Sequence, residues 1–218
     1  SLELADNLEP PKDAPSLLRG SGEIHSYHDR GMKYNSEQWH RECLHGYYAC
    51  VSYVDAQIGK VLKTLDDLKL RKNTIIVLWG DHGWHLGEYA MWEKRTLWEL
   101  STRVPLIIRA SWIKNSPKRT NALVELVDLY RTVLDLVDLE IPSDDTWQLD
   151  GVSLRPLLEG KTHKVKDMAL SMYPRCVHIG MPIWGARGIP GGEDNSCLNI
   201  ERTEFTWMGY TMRTDRYR

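Results

Sequence analysis

The sequence predicts an α/β fold in which helices cover a mostly parallel central sheet. Two apolar runs, at residues 75–79 and 104–110, have the length and composition of buried strands. Two segments, beginning near residues 36 and 122, repeat apolar residues at spacings of three and four, the pattern of amphipathic helices. The 218 residues suffice for one good-sized domain, or for one domain and a small appendage.

Composition and charge exclude several kinds of partner. The formal net charge of −2 gives no reason to expect binding to nucleic acid or to an anionic membrane surface. No apolar run approaches the roughly 18 residues that a membrane-spanning helix needs. The opening stretch, SLELADNLEPPKDAP, is acidic and proline-rich and lacks the pattern of a signal peptide. We therefore expect no nucleic acid partner and no membrane span.

The first predicted helix follows an irregular lead-in at residues 1–35, which contains several prolines and glycines. Ser36 is a good N-cap, and Glu37 places a carboxylate in the first turn. Apolar residues then continue to Leu68, and a turn at Lys72 and Asn73 ends the unit. We expect one broad buried stripe, formed by Trp39, Cys43, Tyr47, Cys50, Val51, Val54, Ile58, Val61, Leu62, Leu65 and Leu68.

The two apolar runs predict strands that are covered on both faces in a parallel sheet. More than twenty residues connect them, which is longer than most connections in a compact domain. Loops of this length are usually functional or disordered. Three tryptophans in this connection argue against disorder, so we expect a functional loop.

The remaining elements complete the predicted organisation. A second amphipathic helix spans about 122–137, and residues 149–160 form a turn and a short helix that Gly160 closes. A strand is expected at 170–175, and the chain ends inside another strand, which suggests an internal piece of a longer polypeptide. We assign 1–35 to an upstream part, 36–160 to a catalytic domain and 161–218 to the start of a C-terminal subdomain.

The four cysteines say little about the cellular compartment. Cys43 and Cys50 share a helix face but are separated by about 10 Å of helical rise, so they cannot form a disulfide there. Cys176 and Cys197 bracket a glycine-rich stretch, and whether they pair stays open.

An Asp-His step follows the first apolar run directly. Asp81 and His82 can serve one site only if the chain leaves strand geometry, which the flanking Gly80 and Gly83 allow. Ligand sites in open parallel sheets lie beyond the carboxyl ends of the strands, where this step is found. A carboxylate and an imidazole are plausible ligands of a divalent cation such as calcium. Further ligands have to come from elsewhere.

Lys94, downstream of the Asp-His pair, indicates that the ligand of this site is an anion. An ammonium group near a bound cation needs an anion between them, and a sulfate or phosphate group would serve. Two other interpretations stay open: a simple turn in which Asp81 caps its own backbone, and a zinc site that begins with His82 and His85. The other histidines are expected to be solvated or structural.

Several segments together resemble the sulfatase family of the alkaline phosphatase superfamily, and within it the iduronate-2-sulfatase group. They cover more than half of the chain and keep the family's order. The segments are YYACVSYVDAQIGKVLKTLD (47–66), NTIIVLWGDHGWHLGEYAMWEK (73–94), TRVPLII (102–108), LVELVDLYRTVLDLVDLEIP (123–142), LDGVSLRPLLEG (149–160), MYPR (172–175) and MGYTMRTDRYR (208–218).

The resemblance implies an alkaline-phosphatase-like sandwich, of which this chain is the second half with the start of a small antiparallel sheet. It implies hydrolysis of sulfate esters of a sugar or glycosaminoglycan, with one Ca2+. Asp81 and His82 match the family's late metal ligands, and Lys94 matches the lysine that contacts the sulfate. Trp84 borders the substrate pocket, and Arg175 or Arg213 could reach an acidic sugar. A lysosomal, secreted or periplasmic location is implied as well.

The chain departs from the family at the nucleophile. The family uses a formylglycine made from cysteine in a Cys-x-Pro-Ser-Arg context, whereas the contexts here are CLHGY, CVSYV, CVHIG and CLNIE. We expect the nucleophile and the remaining ligands in a missing N-terminal half, without which this piece is inactive. The alternatives are another hydrolase of the superfamily, acting on phosphate or phosphonate esters, and a non-catalytic glycan-binding relative.

Overall fold

The computed structural model of the chain describes residues 2–9, 12–13, 24, 36–94, 96–114, 116–140, 149–174 and 208–217. The first long element is helix α1, Glu37–Asp67. The backbone N–H of Trp39 donates a hydrogen bond to the Ser36 Oγ at 3.2 Å, which confirms the predicted N-cap. The helix ends earlier than predicted, because Lys69 adopts a left-handed φ of 58° and a 3-10 turn occupies Arg71–Asn73.

The predicted buried stripe of α1 is wrong for most of its length. Trp39 and Leu44 are buried and pack with Trp92, whereas most residues farther along the stripe are exposed. Val51 and Val61, for example, expose 52% and 63% of their surface. An apolar stripe shows which face of a helix would be buried but not whether a covering surface is present. Within the described residues, the stripe is fully buried only near Trp39, while Ile58, Leu62 and Leu65 are half-buried.

Strands β1 (Ile75–Trp79) and β2 (Leu106–Ala110) confirm the two predicted strands. They pair with each other in antiparallel register, from Ile75 opposite Ala110 to Trp79 opposite Leu106. The parallel arrangement and the cover on both faces are therefore wrong for this pair, since Trp79 is 51% exposed and Ile107 is 57% exposed. The physical reason is that an apolar run carries information about burial and none about strand direction.

The second predicted helix is shorter than expected. Helix α3 spans Asp128–Leu136, after the four-residue α2 at Glu99–Thr102, and residues 122–127 are not helical. The fully buried Asp128 explains this start, because its carboxylate accepts the backbone N–H of Glu125 at 2.8 Å and that of Val152 at 2.9 Å. It also contacts the Nζ of Lys166 at 2.8 Å, so a buried charge is paired.

The chain after α3 confirms three predicted elements. Helix α4 spans Arg155–Leu158, and Gly160 closes it with a left-handed φ of 67°. Strands β3 (Met168–Pro174) and β4 (Met208–Thr214) form a second two-stranded sheet. Whether Cys176 and Cys197 pair stays open, because both lie outside the described residues. Cys43 and Cys50 are free, as their helical spacing predicts.

The described residues fall into two compact units that alternate along the sequence. Unit 1 is drawn from Ser1–Lys60, Gly80–Val104 and Met172–Tyr210, and unit 2 from Val61–Trp79, Pro105–Ser171 and Thr211–Arg218. The domain boundaries near residues 35 and 160 stay a prediction. None of the helices in the described part of the chain is long and apolar enough to cross a membrane.

Candidate functional site

The long connection after β1 is an ordered loop of unit 1 that folds back on itself. The backbone N–H of His85 donates to the Glu93 carbonyl at 2.8 Å, and that of Gly87 donates to the Met91 carbonyl at 2.9 Å. Gly87 turns the chain with a φ of 108°. The returning segment is anchored because Met91, Trp92 and Glu93 are all buried. Residues 84 and 94, one step beyond the His85–Glu93 hydrogen bond, therefore lie near each other.

Gly83 is required at the start of this loop, although not for the predicted reason. Its backbone N–H donates to the Ser101 carbonyl at 2.8 Å, and a Cβ atom on Gly83 would lie 1.9 Å from the Leu100 carbonyl oxygen. Gly80 and Gly83 are not among the described glycines with positive φ. The close approach of two backbone segments, rather than a left-handed conformation, demands the glycine.

Asp81 and His82 present a carboxylate oxygen and a ring nitrogen side by side to solvent. The Oδ2 of Asp81 lies 3.7 Å from the Nε2 of His82, and their side chains are 85% and 38% exposed. The Nδ1 of His82 lies 2.8 Å from the Gly83 carbonyl oxygen, which can only accept a hydrogen bond. Nδ1 therefore donates to this carbonyl, which leaves Nε2 as the ring nitrogen beside the carboxylate.

This donor pair fits a divalent cation chemically. Two ligand atoms about 2.4 Å from one cation and at right angles to each other are about 3.4 Å apart, close to the separation observed here. Carboxylate oxygen suits calcium, and an imidazole oriented by a carbonyl acceptor is a common metal ligand. No group of three or more histidine, cysteine, aspartate or glutamate side chains forms a metal site within the described ranges. Asp81 and His82 would thus supply part of a coordination sphere.

Trp84 and Lys94 are in direct contact. The Nζ of Lys94 lies 5.2 Å from the centroid of the Trp84 ring, within the range of a cation–π interaction. The Trp84 ring also lies 6.3 Å from the His82 ring. The structure thus brings three predicted site residues into one contiguous group, in which Trp84 is the neighbour of both His82 and Lys94.

Sequence reasoning missed a buried polar cluster next to this group. His85 is fully buried, and its Nε2 lies 3.0 Å from the Oγ1 of Thr96, which in turn lies 2.7 Å from the Oγ of Ser101. Burial lowers the pKa of His85 below its ordinary value of 6.5. Because the ring is committed to Thr96, the zinc interpretation that joined His85 with His82 gains no support. No sequence pattern identifies an isolated threonine or serine as a hydrogen-bond partner of a buried histidine.

The two candidate arginines differ in what the structure describes. Arg175 lies outside the described residues. The guanidinium of Arg213 donates hydrogen bonds to the backbone carbonyls of Thr214 and Tyr217 near the end of β4.

Comparison with known proteins points in one direction. A family model described as Sulfatase matches residues 22–139. Iduronate 2-sulfatase of Mus musculus is 31% identical over 225 residues, covering 84% of this chain and 38% of the mouse protein. N-acetylglucosamine-6-O-sulfatase of Bacteroides thetaiotaomicron is 38% identical over 134 residues, covering 62% of this chain and 23% of that protein. The chain therefore spans well under half the length of these relatives.

Solved structures agree on the fold. A 2-O GAG sulfatase superposes with a TM-score of 0.60 at 23% identity, over 79% of this chain and 37% of its own. The phosphonate monoester hydrolase of Silicibacter pomeroyi superposes with a TM-score of 0.50 at 36% identity, over 56% of this chain and 23% of its own. The chain thus has the alkaline-phosphatase-like fold that its sequence predicts.

Proposed function

The chain belongs to the sulfatase family, and from this premise we propose that it forms part of an enzyme that hydrolyses sulfate esters. The observation that carries the proposal is the contiguous group formed by Asp81, His82, Trp84 and Lys94. It combines two metal-ligand atoms 3.7 Å apart with an ammonium group held on an aromatic ring of the same loop. A cation and an ammonium group together are suited to bind a tetrahedral oxyanion.

We propose that Asp81 and His82 bind one Ca2+ ion, with further ligands from other parts of the polypeptide. A bound divalent cation would neutralise negative charge that spreads over the sulfuryl oxygens during hydrolysis. The supporting feature is the tautomer of His82, since the Gly83 carbonyl holds the proton on Nδ1 and leaves Nε2 available. Among the described residues, the exposed carboxylate of Asp81 accepts a hydrogen bond from the His82 backbone N–H, at 3.1 Å, and from no other backbone group.

Lys94 is proposed as the catalytic residue that contacts the sulfate group directly. An ammonium group that meets the sulfuryl oxygens offsets their negative charge and holds the sulfate group in place while the electron pair of the ester bond passes to the leaving oxygen. Trp84 holds the Lys94 ammonium group through the 5.2 Å contact and would present its ring beside the bound group. For this reason Trp84 is proposed to line the substrate site.

The nucleophile is proposed to lie in a part of the polypeptide other than this chain. None of the four cysteines has the Cys-x-Pro-Ser-Arg context from which the family makes formylglycine. The partial coverage of the relatives and the exposed apolar stripe of α1 support an additional N-terminal half that packs on the described residues. On this proposal the chain is inactive by itself.

The proposed substrate is a sulfated sugar, as in a glycosaminoglycan. The similarity to iduronate 2-sulfatase extends over most of the chain, whereas the match to N-acetylglucosamine-6-O-sulfatase is shorter but closer in identity. Arg175 is proposed to bind an acidic group of this sugar. A lysosomal, secreted or periplasmic location is proposed on the same family grounds.

A second candidate function is hydrolysis of phosphonate or phosphate esters. It is favoured by the similarity to the phosphonate monoester hydrolase, because the same cation and ammonium would also bind a phosphoryl group. A phosphate monoester carries a second negative charge that a sulfate monoester lacks, and hydrolases of phosphoryl esters are expected to favour two metal ions rather than one. Substrate preference and metal content therefore separate the two functions.

The test compares hydrolysis of an aryl sulfate and an aryl phosphonate by the full-length protein and by Lys94→Met and Lys94→Arg variants. We expect the parent to prefer the sulfate, and Lys94→Met to lower kcat/KM about 100-fold, since removal of one transition-state donor has an effect of this size. Lys94→Arg retains the charge and should retain part of the activity.

Two results would overturn the proposal. A parent that prefers the phosphonate would favour the second function, and a parent that binds sulfated glycans without turnover would indicate a non-catalytic relative. Full activity of Lys94→Met towards the sulfate would remove Lys94 from its proposed role.

A further inference from the structure

The hydroxyl group of Thr96 is the centre of a buried hydrogen-bond cluster two residues after Lys94. Its Oγ1 lies 3.0 Å from the His85 Nε2, 2.7 Å from the Ser101 Oγ and 3.3 Å from the Trp98 backbone nitrogen. Thr96 and Ser101 are only 5% and 4% exposed, and His85 is fully buried. Buried polar groups of this kind are costly unless they are paired, so the cluster is held in one arrangement.

Thr96 Oγ1 is the atom through which the cluster is connected, and the direction of one of its hydrogen bonds is fixed. The Trp98 N–H can only donate, so Thr96 Oγ1 accepts there. The Nδ1 of His85 is buried and has no hydrogen-bond partner. The ring of His85 is therefore held through Nε2, which is hydrogen-bonded to the Thr96 hydroxyl group.

The cluster joins the two sides of the loop that carries the proposed site. His85 directly follows Trp84, and its backbone N–H is bonded to the carbonyl of Glu93, directly before Lys94. The backbone N–H of Thr96 donates to the Lys94 carbonyl at 2.7 Å, which makes a tight turn after the lysine. Each of the two residues in cation–π contact is therefore followed within two positions by a member of the cluster.

We propose that Thr96, together with His85 and Ser101, is a positioning residue that sets where the Lys94 ammonium group meets the substrate oxyanion. This inference rests on the proposed function, in which Lys94 contacts a sulfate group. None of the three cluster residues needs to touch the substrate. Their effect is transmitted through the backbone hydrogen bonds from His85 to Glu93 and from Thr96 to Lys94, so loss of the Thr96 hydroxyl displaces the ammonium without removing it.

The decisive experiment is a double-mutant cycle in the full-length protein. Thr96→Val removes the hydroxyl at nearly constant shape, and Thr96→Ser keeps it as the matched control. We expect Thr96→Val to lower kcat/KM for an aryl sulfate about 10-fold, since small displacements of a reacting group have effects of this order or larger. Thr96→Ser should stay within about threefold of the parent by the same reasoning.

The cycle separates positioning from simple structural support. If Thr96 acts through Lys94, Thr96→Val should have almost no further effect on kcat/KM in a Lys94→Met background. A structural role would lower the activity by the same factor in both backgrounds. Equal factors, or an unchanged kcat/KM in Thr96→Val alone, would overturn the inference.

A second measurement keeps the inference testable if the full-length protein hydrolyses no sulfate ester, a result that would refute the proposed function instead. Lysine labelled with 13C at Cε reports the Trp84 ring current on the Lys94 side chain by NMR, and Lys94→Met assigns the signal. We expect Thr96→Val to move this signal towards its position in Trp84→Leu, and Thr96→Ser to leave it in place. A signal unmoved by Thr96→Val would contradict the positioning role.

Discussion

The ammonium group of Lys94 lies over the ring of Trp84, 5.2 Å from its centroid, in a loop whose two sides are joined by the His85–Glu93 backbone hydrogen bond. Neither residue is adjacent to the other in sequence, and the contact follows from the register of the folded-back loop. Lysine side chains have many rotamers, and an aromatic surface reduces the number that the ammonium group samples. On the proposed function, in which Lys94 contacts the sulfate group, this contact would position the ammonium group before the substrate binds.

Removal of the Trp84 ring should leave the Lys94 ammonium group less well positioned. We expect Trp84→Leu to lower kcat/KM for an aryl sulfate about fivefold, because a partly exposed cation–π contact contributes about 0.5–1 kcal/mol and the ring also lines the site. Trp84→Phe keeps an aromatic face and should lie between this variant and the parent. Steady-state kinetics on the full-length protein provide the measurement. A Trp84→Leu enzyme as active as the parent would show that the ring does not assist Lys94.

Loss of the Asp81 carboxylate should weaken calcium binding with little effect on folding. The side chain is 85% exposed, so Asp81→Asn removes a ligand charge without disturbing a buried group. We expect the Kd for Ca2+ to rise at least about tenfold by isothermal titration calorimetry. Asp55→Asn, at an exposed position of α1, is the matched control and should bind calcium as the parent does. Equal Kd values for the two variants would exclude Asp81 as a ligand.

The fold could be predicted from sequence where local interactions determine it. The Ser36 cap of α1 and the left-handed Gly160 after α4 each depend on residues within one turn, and both are present. The start of α3 could not be predicted, because Asp128 is bonded to Val152 and Lys166, which lie 24 and 38 residues away. Distant partners of this kind leave no periodic signal.

The same distinction applies to the candidate site. Asp81 and His82 are neighbours in sequence, so their shared position beyond β1 could be predicted from the glycine-flanked step. The Trp84–Lys94 contact depends on the register of the loop, which no local pattern specifies. The burial of Thr96 could not be predicted from the sequence, because threonine is common on surfaces and this burial is a consequence of tertiary packing.

Two buried histidines should make folding stability depend on pH in mildly acidic solution. Burial lowers the pKa of both His40 and His85 below the ordinary value of 6.5, and the Nδ1 of His40 also accepts the indole N–H of Trp92 at 2.9 Å. Glu88 opposes the shift at His85 but is the smaller effect. In mildly acidic solution these two histidines are therefore protonated more in the unfolded chain than in the folded chain. The free energy of unfolding is therefore not reduced by these histidines above about pH 6.5, and it falls as the pH is lowered towards their folded-state pKa values.

The free energy of unfolding should change with pH by at most about 1.4 kcal/mol per pH unit for each histidine. Urea denaturation of the full-length protein between pH 5 and 8 measures it, within the range where these histidines titrate. His85→Gln should reduce the slope, while His45→Gln at an exposed position of α1 should preserve it. A stability that is flat across this interval, or that rises on acidification, would contradict the buried neutral state.

Gly151 should tolerate no side chain, because it lies against the backbone at the start of α3. A Cβ atom there would be 2.3 Å from the Val127 carbonyl oxygen and 2.8 Å from the Asp128 Cα, and both are backbone atoms that cannot rotate away. The same segment places Val152 N–H on the buried Asp128 carboxylate at 2.9 Å. Displacing residue 151 would therefore also weaken a hydrogen bond to a buried charge.

We expect Gly151→Ala to lower the free energy of unfolding by about 1–3 kcal/mol, the usual effect of overpacking. Gly46→Ala is the matched control, because Gly46 lies inside α1 with no atom within 4 Å of an added Cβ. That change should stabilise the protein by about 0.5–1 kcal/mol through the higher helix propensity of alanine. Urea denaturation of both variants gives the comparison. If the two substitutions shifted the unfolding midpoint equally, the close contact between residue 151 and the start of α3 would not exist in solution.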